Sequence, residues 1–111
     1  MPPDGRRDKA DTGKRAGLPR RADFTRQFVK DWDRLNRTAR YDMQQLKRVM
    51  LLLIANDAPL PAEWKDHALK GDWGDHRECH VGGDFLLIYM LDEKANLVVF
   101  TRAGTHSELF E

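Results

Sequence analysis

Residues 85–91 read Phe-Leu-Leu-Ile-Tyr-Met-Leu, an unbroken apolar run closed by Val81-Gly82-Gly83-Asp84 on one side and Asp92-Glu93-Lys94-Ala95-Asn96 on the other. A run of strand length, without alternation and with turn residues at both ends, points to a central strand covered on both faces. The two glycines give the first turn the backbone freedom that other residues lack. Segments 76–81 and 97–102 then read as its neighbours, and connections this short imply an antiparallel meander. A sheet this small needs cover from elsewhere in the chain.

That cover lies upstream. Phe24, Phe28, Trp32 and Leu35 recur at helical spacing, and Leu46, Val49, Met50, Leu53 and Ile54 follow i, i+3, i+4, i+7, i+8. Asn36-Arg37-Thr38 separates the two helices, with Thr38 as the expected cap of the second. Asn56-Asp57-Ala58-Pro59 ends that helix, and Pro61 keeps the next segment extended or turning. A weak strand signal at 20–23 precedes both helices. The expected fold class is α+β: two N-terminal helices packed on a small antiparallel sheet. At 111 residues one domain is expected, spanning 21–111, after a disordered basic tail at 1–20.

Charge divides unevenly along the chain. Residues 1–21 hold seven Lys/Arg against three Asp, and residues 22–111 hold twelve Lys/Arg against fifteen Asp/Glu. The expected domain is therefore not basic, and nucleic-acid binding would need a local patch or a larger assembly. No apolar stretch is long enough for a membrane span, and no secretory h-region stands at the N-terminus. The single cysteine, Cys79, cannot close an internal disulfide, which fits a reducing cytoplasm.

The chemistry-bearing residues cluster late. The histidines are His67, His76, His80 and His106, with Asp66, Asp75, Glu78 and Asp84 close by in sequence. His76, Cys79 and His80 are poorly spaced for a metal, because strand alternation puts Cys79 on the other face from the two histidines. No nucleophile elbow, phosphate-cradling loop or dinucleotide fingerprint is present. Acid–base cleavage of RNA fits the inventory better. A base takes the 2′-hydroxyl proton, an acid protonates the leaving 5′-oxygen, and a cation stabilises the pentavalent phosphorane. Histidine suits the first two roles and arginine the third, so no cofactor or metal is required. Arg77 and Arg102 supply the guanidinium groups.

Three separated stretches, carrying four motifs, then acquire a common meaning. Residues 58–73 ("APLPAEWKDHALKGDW"), 76–91 ("HRECHVGGDFLLIYML") and 102–110 ("RAGTHSELF") resemble the YafQ branch of the RelE/ParE superfamily of toxins. Its outline is P-L-P, D-H-x-L-x-G, R-[DE]-x-H-x-x-x-D-[WF]-x-L-I-Y and G-T-H-x-x-L-F. The resemblance spans about residues 22–110 and leaves the basic tail outside. It implies the microbial-ribonuclease-like fold, with two helices on a curved antiparallel sheet. It also implies a ribosome-dependent mRNA endonuclease that cuts in the decoding site of the 70S ribosome. A cognate antitoxin would hold it inactive and carry it indirectly to operator DNA.

Carried over residue by residue, the resemblance implies catalytic roles for His67, His80, Asp84 and His106. His106 would be the general acid, Asp84 or His80 the general base, and His67 an orienting or charge-stabilising group. Arg102 and Arg77 would bind phosphate. Phe85 and Phe110 would stack on bases, with core packing the competing role for each. His76 stands where an aromatic is common and is expected to pack as one. The alternative is a non-catalytic ParE-type toxin that binds a protein such as DNA gyrase, for which the polar set His67, His80, Asp84 and His106 has no use.

Overall fold

The computed structural model describes residues 18–110. In chain order the elements are β1 (Arg21–Phe24), α1 (Arg26–Thr38), α2 (Met43–Ala55), a 3-10 turn (Ala62–Trp64), β2 (His67–Ala68), a second 3-10 turn (Gly71–Trp73), β3 (Arg77–Gly82), β4 (Phe85–Asp92), β5 (Leu97–Thr105) and α3 (His106–Phe110). The sheet order is β1-β5-β4-β3-β2, so the apolar run does lie in the middle. The expected helices-on-sheet architecture stands. The sheet is mixed, because β1 joins β5 in parallel while the other pairs are antiparallel. No helix among the described residues is long and apolar enough to cross a membrane.

β4 is covered on both faces, as an unbroken apolar strand must be. Phe85, Leu87 and Tyr89 face α1 and α2 and join Phe28, Leu35, Leu46, Val49 and Leu53 in the main core. Leu86 and Ile88 face the other way, into a smaller cluster closed by Leu109, Leu69, Trp73 and Phe110. The second cover is α3, five residues long and too short to show a helical period in sequence.

Two boundaries differ from expectation for local reasons. Phe24 ends β1 rather than opening α1, because Thr25 caps the helix, its hydroxyl accepting from Phe28 N–H at 3.0 Å. Asp42, not Thr38, caps α2, accepting from Gln45 N–H at 3.0 Å. Thr38 lies in the last turn of α1 and donates back to Leu35 O at 3.0 Å, and Ala39 in the left-handed region (φ 58°) ends that helix.

Of the expected basic tail, residues 1–17 lie outside the described residues. Arg20 is tied to the end of α2, its backbone donating to Ile54 O at 2.7 Å and its guanidinium to Leu53 O at 2.8 Å. Cations placed on the free carbonyls of a helix C-terminus are favourable.

Candidate functional site

The sheet face away from α1 and α2 carries most of the chemistry. Alternation along β3 sends Cys79 and Val81 into the main core and Glu78 and His80 to the opposite face. β2 pairs with β3 so that His67 stands directly across from Glu78. Glu78 is 5% exposed. Its Oε1 lies 3.3 Å from His67 Nε2 and 3.8 Å from His80 Nε2, and the two rings are 6.2 Å apart. Glu78 Oε2 is buried without a hydrogen-bond partner among the described residues. His67 Nδ1 is 2.9 Å from Lys65 O, which only accepts, so this nitrogen carries a proton. Nε2 is the ring nitrogen that faces the Glu78 carboxylate.

Glu78 was visible in sequence only as one acid among several. The signal that finds it is the period of two, which puts it on the same strand face as His80. Its position opposite His67 needs the β2–β3 register, which a two-residue strand does not disclose. His67, Glu78 and His80 bring one ligand atom each within 4.8 Å of one another, a donor set that suits a transition-metal ion as well as proton transfer.

The second half of the site comes from the turn before β4 and from α3. Gly83 (φ 54°) makes the turn that presents exposed Asp84, whose Oδ1 accepts from His106 N–H at 3.2 Å. α3 starts in a capping box. Glu108 N–H donates to Thr105 Oγ1 at 3.2 Å, and Glu108 Oε1 accepts from Thr105 N–H at 2.8 Å. The T-x-x-E spacing in Thr105-His106-Ser107-Glu108 announces this cap in sequence. A Cβ at Gly104 would stand 2.6 Å from Glu108 Oε1 and 3.1 Å from Arg34 Nη2, so the glycine of G-T-H makes room for the cap. Glu108→Ala should cost about 1 kcal/mol of stability. It should also raise amide exchange first in residues 106–110, which hydrogen exchange would resolve.

Across the sheet, His80 pairs with Leu86 and Leu86 with Gly104. Two strand spacings make this backbone separation roughly 10 Å. Trp73 and Phe110 flank the same face, with ring centroids 6.3 Å apart, and Phe110 stands 4.9 Å from the His106 ring. His76 packs edge-on against Trp73 at 5.1 Å, in the packing role expected of it.

Three expected substrate contacts lie elsewhere. Arg77 faces the helix side, where its Nη2 and Nε donate to Asp66 Oδ2 at 2.7 and 3.1 Å; it is an odd position on a strand whose even positions line the site. The Asp66 carboxylate pushes the Arg77 pKa up. Arg102 lies beside Ile88 but reaches over the edge of β5 to Asp31 of α1, with Nε to Oδ2 at 2.8 Å. β1 covers β5 only as far as Phe100, and Asp31 fills the gap by accepting Ala103 N–H at 3.1 Å. Phe85 is 5% exposed and packs on Tyr41 at 5.1 Å, so core packing claims the first residue of the run. Cys79 is fully buried, and burial, with the Asp66 and Glu78 charges nearby, pushes its thiol up to about 12, far from a thiolate nucleophile.

Comparison with known proteins adds to this geometry. Residues 20–111 match the family model described as a bacterial toxin of a type II toxin-antitoxin system, YafQ. The chain is 44% identical over 93 residues to the mRNA interferase toxin YafQ of Escherichia coli K12, covering 84% of this chain and 98% of that one. The crystal structure of the E. coli DinJ-YafQ toxin-antitoxin complex contains a similar chain: TM-score 0.74, 42% identity, 85% of this chain and 100% of that one covered. A metal-bound toxin from Helicobacter pylori superposes with TM-score 0.69 at 37% identity, over 81% of this chain and 98% of that one.

Proposed function

The chain belongs to the YafQ family of bacterial toxins from type II toxin–antitoxin systems, and from that premise we propose that it is a ribosome-dependent mRNA endonuclease. One observation carries the reading. His67 and His80 gather around the buried Glu78 carboxylate on the face that also presents Asp84 and His106. A protein that only bound a partner would have no reason to bury a carboxylate against two imidazoles beside a third.

The reaction is transesterification. The 2′-oxygen attacks phosphorus, the P–O5′ bond breaks, and a 2′,3′-cyclic phosphate and a 5′-hydroxyl result. His80, held at ion-pair distance from Glu78, takes the 2′-hydroxyl proton. His106 gives a proton to the leaving 5′-oxygen. No hydrogen bond ties its ring among the described residues, and Asp84 fixes its backbone instead. With Arg77 and Arg102 engaged elsewhere, His67 provides the cation that faces the phosphorane, braced by Lys65 O and Glu78. Phe110 and Trp73 offer faces for flanking bases. The ribosome supplies the docking surface that the chain's own charge does not.

The E. coli relative forms a complex with the antitoxin DinJ, which supports a cognate antitoxin here; operator DNA reached through that antitoxin and action in the cytoplasm belong to the proposal. A second reading concerns metal. The Helicobacter relative is metal-bound, and a transition-metal ion on His67, Glu78 and His80 would tie up the imidazoles that move or stabilise charge. Added zinc should then inhibit cleavage, and chelation should restore it.

Brief induction followed by primer extension on a reporter mRNA tests the function. Discrete cuts at fixed positions within codons are expected. Intact mRNA with inhibited DNA supercoiling would favour the gyrase-binding alternative.

A further inference from the structure

The site as described uses the second residue of Asp66-His67 and of Arg77-Glu78 and leaves the first of each unexplained. Both unexplained residues meet on the helix side of the sheet, together with Tyr89. We propose that Asp66, Arg77 and Tyr89 form a clamp that positions His67 for proton and charge handling, acting through the backbone from the opposite face. This rests on the function proposed above.

β2 has only two residues and is the edge of the sheet, with a partner on one side alone. So short an edge strand fixes a side chain poorly by ladder hydrogen bonds. Lys65, just before it, is in the left-handed region (φ 51°), so the chain turns sharply on entering. Something else must hold His67 against Glu78.

Arg77 and Tyr89 are direct cross-strand partners, and both reach Asp66. The guanidinium donates twice to Oδ2, at 2.7 and 3.1 Å, and the Tyr89 hydroxyl donates to Oδ1. Both carboxylate oxygens are thereby held. Arg77 is 37% exposed at its side chain, and an ion pair that open contributes little by itself. Tyr89 is 1% exposed, and a buried hydroxyl needs its partner. Burial raises its pKa, which keeps the donor proton in place.

The link to the site is the strand alternation. With Asp66 fixed on one face, the next side chain must project from the other. There His67 meets Glu78 at 3.3 Å and Lys65 O at 2.9 Å. Turning the 65–67 segment enough to lift His67 off Glu78 would break the donor contacts from Arg77 and Tyr89 to Asp66. The clamp residues are positioning residues, since none of them lines the face where RNA would sit.

The test uses Tyr89→Phe, which removes one donor and keeps the ring, and Asp66→Asn. Two readouts are taken on the full chain: cleavage of mRNA on programmed ribosomes, and nitrogen–proton imidazole NMR. In both variants His67 should lose the signature of a fixed ring while His106 keeps its own. kcat should fall about 10–100-fold, the scale of small misplacements, with KM for programmed ribosomes little changed. Unchanged His67 signals overturn the proposal, whatever happens to thermal stability. So does unchanged cleavage with altered His67 signals. If the wild-type chain does not cleave, the proposed function fails, and the His67 signals alone decide the clamp. Should Tyr89→Phe not fold, Arg77→Lys replaces it, keeping the charge and losing the planar fork.

Discussion

His106→Ala should lower mRNA cleavage by about 10²–10⁴-fold, the usual contribution of a positioned general acid. His106 is exposed at the start of α3. Its ring touches Phe110, but its place is set through the backbone, by the N–H donated to Asp84. The substitution should therefore shift stability by no more than about 0.5 kcal/mol. Thermal melts alongside single-turnover cleavage separate the two effects. A melt unchanged and a rate collapsed is the expected pair. The same comparison on His67→Ala should show a smaller melt-to-rate separation, because Glu78 would be left buried and less compensated.

The largest stability effect is expected far from the site. Asp31 is fully buried and accepts from Arg102, Arg34 and the Ala103 amide, at 2.8, 2.8 and 3.1 Å. Asp31→Ala takes the partner from the Arg102 guanidinium and the Ala103 edge amide, while Arg34 keeps Glu108 at 3.3 Å, and breaking a buried pair this way costs about 3–5 kcal/mol. For a domain whose total stability is on the order of 5–15 kcal/mol, that leaves it near the unfolding threshold. Acid should report the same group. Burial raises the Asp31 pKa, but the hydrogen bonds from Arg102 and Arg34 outweigh it, and the net shift is downward. A depressed carboxyl contributes its stability above the unfolded value of about 3.9 and loses it as pH falls through the folded value. The stability gap between the wild-type chain and Asp31→Asn should thus be constant above about pH 5 and shrink below about pH 4. Urea unfolding at stepped pH measures it.

Much of this was legible in sequence, for identifiable reasons. The run at 85–91 announced a doubly covered central strand, and the helical stripe through Leu46, Val49, Met50 and Leu53 announced its main cover; all four of those side chains are buried. What covers the second face was harder to see. α3 has five residues, too short for a periodic signal, and only its capping box marks it. The parallel entry of β1 was illegible because four exposed residues carry no apolar pattern.

For the site, the motifs gave the polar identities but not the orientations. Phe85, Arg77 and Arg102 sit at motif positions that suggested substrate contact. Phe85 is claimed by the core, Arg77 by Asp66 across the sheet, and Arg102 by a carboxylate on α1. Side-chain partners supplied by distant segments are invisible to spacing. Asp31 itself reads in sequence as an ordinary surface acid of an amphipathic helix. Its burial follows from the early end of β1, which leaves the Ala103 amide to be satisfied.

We propose that this chain cuts mRNA by transesterification through His67 and His80, which gather around Glu78, and His106 at the start of α3, using the ribosome as its platform. The most direct measurement incubates the purified chain with a defined mRNA, free or threaded on 70S ribosomes, and analyses the product ends. Cleavage only on the ribosome, leaving 2′,3′-cyclic phosphate and 5′-hydroxyl ends and abolished in His106→Ala, is the expected result. Products with 5′-phosphate ends, equal cutting of free mRNA, or intact mRNA under conditions where the toxin still halts growth would contradict it.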